Sequence, residues 1–396
     1  MISFCEFLVE AVIPEKAGIP SVILRGVRCP SNGFPLRRER RRDTRRRRGI
    51  IVSFRSETEF VRWLGRRWPR RGRGLDLGIG DDAALVRAPG GRDLVLTTDL
   101  SIEDVHVRLD LHPARSIGHR ALARSLSDLA AMGAKPRFAL LSLALKRNLT
   151  RSWTTAFYDG LGALAQRFGV RLIGGDTAVV DGATTIDVIA IGEVGRSRAL
   201  LRSGARPGDR IYVTGRLGLS ALGLELLLSS ARPSVSASRS RKRADGRHAA
   251  IEEALRRHLY PDPRCAVGIA LARRGLASAA IDVSDGFAAD LARLCESSGC
   301  GAVIREARLP VPPDDLSSRA PLDLALHGGE DYEVIFTVPP PRSSSMPRSI
   351  GGVKVHEVGE IQGSRHLILA RADGREIALD TRGYDHFRKL HAPAHD

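Results

Sequence analysis

Apolar positions along this chain switch between two spacings, and the switches mark its elements. Ser56-Glu57-Thr58-Glu59 is a capping-box pattern ahead of Phe60, Val61 and Leu64, and it predicts the first helix. Strand-like runs follow around 83–87 and 94–98. From Pro113 to Met132 the stripe Ile117, Leu122, Leu126, Leu129, Met132 predicts a helix, with Pro at its start and Gly133 just past its end. Asp128 lies off that stripe and in isolation reads as a surface acid. Phe138 to Leu145 is a continuous apolar strand, Ser152 to Phe168 a second helix, and strands are expected at 170–174 and 184–192. This alternation argues for an α/β or α+β domain that ends near residue 203, at the turn-rich joint Gly204-Ala205-Arg206-Pro207-Gly208-Asp209.

The second half reopens with a strand from Arg210 to Thr214 and a helix that starts after Gly215-Arg216-Leu217-Gly218. A helix start of that kind is a candidate phosphate site, although the phosphate-loop pattern with its Lys-Ser/Thr is absent from the chain. Residues 231–247, rich in Ser and Arg, read as a flexible, exposed insertion. Helices at 249–258, 264–275 and 286–298 and strands at 301–305, 332–338, 353–361 and 366–370 predict a second α/β domain. The expected organisation is therefore a basic extension over 1–54, an N-terminal domain over 55–203 and a C-terminal domain over 204–390.

Charge changes the picture only locally. The chain carries +17 at pH 7, but residues 37–74 hold sixteen Arg against four acids, so twelve of those charges belong to one segment. Residues 1–54 show no sustained period and read as a disordered extension. The Arg37 to Arg48 block also admits a nucleic-acid-binding reading, against which stands its lack of interleaved aromatics. No signal-peptide pattern and no apolar run of about 18 residues is present, and the five cysteines form no C-x-x-C pair. A reduced, cytoplasmic protein fits that usage.

The candidate chemistry lies in recurring aspartates. Leu77-Gly78-Ile79-Gly80-Asp81-Asp82 places two carboxylates behind two glycines, which alone is a solvated turn. The figure of an apolar run ending in Thr, Ser or Gly and then Asp returns in Thr97-Thr98-Asp99, Gly174-Gly175-Asp176 and Ile281-Asp282-Val283-Ser284-Asp285. Several such aspartates at the ends of neighbouring strands would converge on one cleft. A pool of carboxylates needs a divalent counter-ion, and hard oxygen ligands favour Mg²⁺ over Zn²⁺.

With Val105-His106, Leu126-Ser127-Asp128-Leu129-Ala130-Ala131-Met132-Gly133, Leu201-Arg202-Ser203-Gly204-Ala205, Gly328-Gly329-Glu330-Asp331-Tyr332-Glu333 and Gly383-Tyr384-Asp385-His386-Phe387, the ordered set resembles the thiamine-monophosphate kinases of the aminoimidazole ribonucleotide synthetase-like superfamily. The resemblance covers about residues 56–388. It implies a two-domain α/β (α+β) fold in which the N-terminal sheets of a homodimer pair into a barrel. It also implies ATP-dependent phosphorylation of thiamine monophosphate with several Mg²⁺ ions. Asp82, Thr97, Thr98, Asp99, Asp128, Asp176, Asp282 and Asp285 match metal positions. Tyr158, Gly175, Asp176, Arg202 and Ser284 match ATP-contact positions, and His106, Glu330 and Tyr384 match thiamine-phosphate contacts. No general base is assigned, because the acceptor phosphate is already largely ionised near pH 7. Ser125 stands where the family commonly shows Asn, and Val107 where an aromatic is usual. Within the superfamily the purine-pathway synthetase and selenophosphate synthetase are the nearest alternatives; the latter uses a reactive Cys or selenocysteine near its glycine-rich segment, and no Cys lies between 50 and 128.

Overall fold

One helix, Ala114–Ala131, organises the molecule, because thirteen of its eighteen residues are buried and it packs against both halves of the chain. The computed structural model describes residues 56–68, 71–230 and 241–384. In chain order the elements are α1 (Glu57–Arg67), β1 (Leu75–Leu77), β2 (Ala84–Ala88), β3 (Arg92–Ile102), α2 (Ala114–Ala131), β4 (Lys135–Lys146), α3 (Arg151–Phe168), β5 (Arg171–Val180) and β6 (Thr185–Gly195). They continue with β7 (Arg210–Thr214), α4 (Leu219–Ser230), α5 (Arg241–Leu259), α6 (Cys265–Arg274), β8 (Ala279–Asp282), α7 (Phe287–Ser298), β9 (Gly301–Arg305), α8 (Pro321–His327) and β10 (Val334–Val338). The last are α9 (Pro340–Ser343), β11 (Ser349–Ile350), β12 (Val353–Gln362), β13 (Leu367–Ala370) and β14 (Glu376–Ala378).

The N-terminal sheet has the order β1-β2-β3-β6-β4-β5. All its pairings are antiparallel except β4 with β5, which α3 joins as a crossover. Ile186, Val188 and Ala190 alternate inward from β6 against α2. Helices α2 and α3 cross so closely that a Cβ on Gly118 would lie 1.9 Å from the Phe157 carbonyl oxygen, and one on Gly160 1.8 Å from that of Arg115. Only glycine permits that approach. The C-terminal sheet runs β14-β13-β9-β12-β7-β10-β8, with β11 paired to β12. A continuous core including Leu126, Val188, Val267, Ala280 and Phe336 joins the two sheets through α2 and α6. No helix among the described residues is long and apolar enough to cross a membrane.

Two expectations change. The strands carrying Asp99 and Asp176 do not end at them: β3 pairs with β6 from Arg92 to Ile102, and β5 with β4 from Arg171 to Val180. The β-branched Thr97 and Thr98 extend the ladder as readily as the apolar residues before them. Among the repeated aspartates, Asp282 does close its strand. Residues 241–247, read as insertion, belong to α5, whereas 231–240 lie outside the described residues, as do 1–55 with the Arg block.

The Gly-punctuated start of α4 is already filled. Asp331 accepts from the backbone N–H of Gly218 at 2.5 Å and of Ser220 at 3.1 Å, so an internal carboxylate stands where a phosphate was a candidate. Burial pushes Asp331 up to about 7, against those two hydrogen bonds. The folded state therefore holds its proton more tightly than the unfolded chain, and the associated stability is lost as pH rises from about 4 through about 7. Asp331→Asn removes that titration. Denaturant melts at pH 5 and pH 8 are expected to show the variant losing less stability than the parent, by about 2 kcal/mol; equal slopes would refute the assignment.

Candidate active site

A cleft of about 1840 Å³ opens where α2 meets the loop before β2, strand β3, the end of β8 and the loop after α8. Most of the residues singled out in the sequence line it: Asp82, Thr97, Thr98, Asp99, His106, Asp128, Arg202, Asp282, Ser284, Asp285, Glu330 and Tyr384. They come from distant stretches of chain, so the convergence is a product of the fold.

At one end lie carboxylates. Oxygens of Asp82, Asp128 and Asp282 all fall within 4.8 Å of one another. Ser127 Oγ donates to Asp282 Oδ2 at 2.7 Å, and Thr97 Oγ1 donates to Asp128 Oδ2. Asp82 Oδ2 and Asp99 Oδ2 are buried with no hydrogen-bond partner. Burial first, then the neighbouring carboxylates, pushes Asp128 and Asp282 well above the usual carboxylate range. Such crowding is unfavourable without a cation, and the all-oxygen donor set with two orphaned buried oxygens fits a hard divalent ion. Arg202 already engages this end: its Nε donates to Asp82 Oδ1 at 3.0 Å, and its backbone N–H donates to Asp81 Oδ2 at 3.2 Å. Ser284 and Asp285 are fixed by their backbone N–H groups, both donated to Asp290 Oδ2 at 3.0 Å, and Arg293 Nη1 donates to Asp285 Oδ2 at 2.6 Å.

Glu330 lines the same cleft. Its backbone N–H donates to the Ser284 carbonyl at 2.7 Å, and that of Tyr332 to the Val283 carbonyl at 2.9 Å, which zips this loop onto the chain after β8. Glu330 and Tyr332 hold left-handed φ of 63° and 50°, a cost of about 1–3 kcal/mol each that the surrounding packing sustains. Arg120 Nη2 donates to both Glu330 oxygens, at 2.8 and 2.7 Å, while its Nη1 donates to the His258 carbonyl. Burial alone would raise Glu330, but Arg120, the strongest of its charged neighbours, pulls it down to about 2. Behind it His258 Nε2 meets His112 Nε2 at 2.9 Å, and burial, then the Arg120 charge, drives His258 down to about 3.

Three positions stay apart from the cleft. Tyr158 is exposed on α3, and Gly175 and Asp176 lie on β5, an edge strand whose residues 171–179 are all exposed. By register Asp176 pairs with Ser142, and Ser142 with Asp187, on the sheet face away from α2. Thr98 borders the cleft, but its side chain lies on that other face, where its hydroxyl donates to Asp187 Oδ1 at 2.6 Å, so its hydroxyl is turned away from the carboxylate cluster. Tyr384 is described, but Asp385, His386 and Phe387 of its motif are outside the described residues.

Sequence reasoning missed Arg120 and Arg124. With Asp128 they recur every fourth residue on α2, so they share one face; Arg124 and Asp128 line the cleft, and Arg120 is buried behind it against Glu330. Charges at that spacing on a helix otherwise made largely of small and apolar residues were the available signal.

Family models for the N-terminal and C-terminal domains of AIR synthase related proteins match residues 80–194 and 206–371. Thiamine-monophosphate kinase of Escherichia coli K12 is 40% identical over 319 residues, covering 79% of this chain and 92% of the relative. The Bacillus subtilis enzyme of the same name is 35% identical over 321 residues, covering 79% and 94%. Among solved structures, AaThiL complexed with AMPPCP and TMP superposes with a TM-score of 0.69 at 28% identity, covering 84% of this chain and 97% of that one. Thiamine-monophosphate kinase from Stenotrophomonas maltophilia K279a gives 0.62 at 34% identity, covering 82% and 98%. The hydrogenase maturation protein HypE, at 19% identity, shares the fold. On these matches, and with its motifs gathered in one cleft, the chain belongs to the thiamine-monophosphate kinase family of AIR synthase related proteins.

Proposed function

We propose that this chain transfers the γ-phosphoryl group of ATP to thiamine monophosphate, giving ADP and thiamine diphosphate. The observation that carries the reading is a single cleft that holds both a buried carboxylate cluster and Glu330. An acceptor oxygen of thiamine monophosphate forms the new bond to the γ-phosphorus. The bond from that phosphorus to the β–γ bridging oxygen breaks, and its electron pair leaves with ADP. The attacking phosphate is already ionised near pH 7, so no side chain need remove a proton.

Asp82, Asp128 and Asp282, with Asp99 and Asp285 beside them, would hold Mg²⁺, which when bound neutralises and orients the polyphosphate. Thr97 and Ser127 aim two of those carboxylates by donating to them. Arg202 holds Asp82 and Asp81 in place, and Ser284 lines the same end, where the nucleotide would lie. Glu330 offers a fixed negative charge to a cationic ring, and Tyr384, 38% exposed at the rim, offers a face for it. His106, whose Nδ1 accepts from the Ile102 N–H at 3.1 Å, lines the same cleft.

The face of the N-terminal sheet away from α2 carries Leu96, Ile191 and Phe138 in one cross-strand row and Ile189 and Leu140 in the next. Phe138 and Leu100 are 39% and 46% exposed there, a poor surface to leave in water. We propose that a second copy covers it in a homodimer, and that Tyr158, Gly175 and Asp176 act in that assembly. The buried free thiols Cys265, Cys295 and Cys300 suit a cytoplasmic setting.

A coupled assay with ATP and Mg²⁺ is expected to show ADP release with thiamine monophosphate and none with free thiamine or aminoimidazole precursors. Release with the precursors instead would overturn the assignment. Within the assay, Tyr384→Ala is expected to weaken thiamine monophosphate use by roughly 0.5–2 kcal/mol and leave the Michaelis constant for ATP unchanged. The reverse pattern would place Tyr384 against the nucleotide.

A further inference from the structure

We propose that Arg124 binds the phosphate of the acceptor, and so makes the site select a phosphorylated substrate over its free alcohol. The inference rests on the reading of this cleft as the site of phosphoryl transfer to a phosphate monoester. Arg124 lies on α2 one turn before Asp128, with a side chain 17% exposed that lines the cleft. Its Nε is buried and has no hydrogen-bond partner. Its ion pairs are long, with Nε 3.8 Å from Asp99 Oδ1 and Nη1 3.8 Å from Glu330 Oε1, and Tyr332 and Asp128 also act on its charge. A guanidinium carries five donors in a planar fork, and leaving its buried Nε unmet is costly.

Neither neighbour makes a hydrogen bond to its Nε. Each Glu330 oxygen already accepts one from Arg120. Asp99 keeps Oδ2 without a partner although Arg124 is beside it, so the pair is not closed on itself. Arg124 stands between Asp99 and Glu330, at ion-pair distance from both but with no hydrogen bond made at Nε. A substrate that reaches from Glu330 to the cluster must meet a negative charge first and this positive charge next. A cationic ring joined to a phosphate has that order of charges, and a guanidinium fork matches two phosphate oxygens at once. Arg202, by contrast, is spent on Asp82 and Asp81 and has no such freedom.

The test is calorimetric titration of the full chain with thiamine monophosphate and, separately, with thiamine, both with Mg²⁺, alongside steady-state assays. The parent is expected to bind thiamine monophosphate more tightly than thiamine. Arg124→Gln should lose at least tenfold on thiamine monophosphate and less than twofold on thiamine, with the Michaelis constant for ATP unchanged. Arg124→Lys, which keeps the charge but not the fork, should lose at least threefold on thiamine monophosphate alone, and it decides the matter if the Gln variant does not fold. An unchanged preference, or equal losses on both ligands, would overturn the proposal and leave Arg124 as a counter-ion to Asp99. A parent protein that neither binds nor turns over thiamine monophosphate would overturn the proposed function and this inference together. An active parent with an unaffected variant would overturn this inference alone.

Discussion

Asp128→Asn and Asp282→Asn are each expected to lower turnover by at least ~100-fold, while the metal-free protein melts no lower than the parent. The two expectations have one cause. Asp128 and Asp282 sit with Asp82 in a buried group whose oxygens are within 4.8 Å of one another, and burial and mutual repulsion disfavour their ionised forms. Asn keeps the shape and still accepts from Thr97 or Ser127 in place of the carboxylate oxygen. It also removes one of the crowded charges, so the empty site loses repulsion. In the proposed reaction, phosphoryl transfer would lose a ligand to the Mg²⁺ that neutralises the polyphosphate, and about 3 kcal/mol of lost transition-state stabilisation is ~100-fold in rate. Turnover at saturating Mg²⁺, and melting temperatures with and without MgCl₂, check both halves. The parent should gain stability from the ion and the variants should gain less. Near-normal turnover in both variants would remove the cluster from the mechanism, and a steep fall in the metal-free melting temperature would make these carboxylates structural.

Ile191→Glu is expected to split the proposed dimer. Ile191 sits in mid-sheet, paired with Leu96 on one side and Phe138 on the other, and all three point away from α2. In an isolated chain the new carboxylate faces water and costs the fold little. Across a closed apolar interface it would be buried without a partner, once from each copy. Association would weaken by about 4 kcal/mol, roughly 1,000-fold in Kd. Sedimentation should show the parent as a dimer and the variant as a monomer at micromolar concentration. Because Tyr158, Gly175 and Asp176 lie outside the cleft of their own chain, activity should fall with the dimer. A parent that sediments as a monomer, or a monomeric variant with full activity, would refute this account of those three residues.

The sequence by itself determined much of this protein. The order of its motifs carried the family, and the helical stripe from Ile117 to Met132 with Pro113 and Gly133 at its ends marked α2 to within one residue at each end. The identity of the aspartates was legible because a carboxylate pool has few other uses, and because glycines and short apolar runs beside them are local signals. Tertiary structure decided which of those aspartates meet. Asp99 and Asp176 carry similar local signatures, yet one faces the cleft and the other lies on the opposite face of the sheet at an edge. That outcome depends on strand order and register, which are set by pairing between residues far apart in the chain. The same cause filled the start of α4 with Asp331, more than a hundred residues away in sequence. It also turned the Arg120–Arg124–Asp128 face of α2 inward, because a charge on a helix shows its spacing in the sequence, while what lies opposite that face is chosen by everything packed around it.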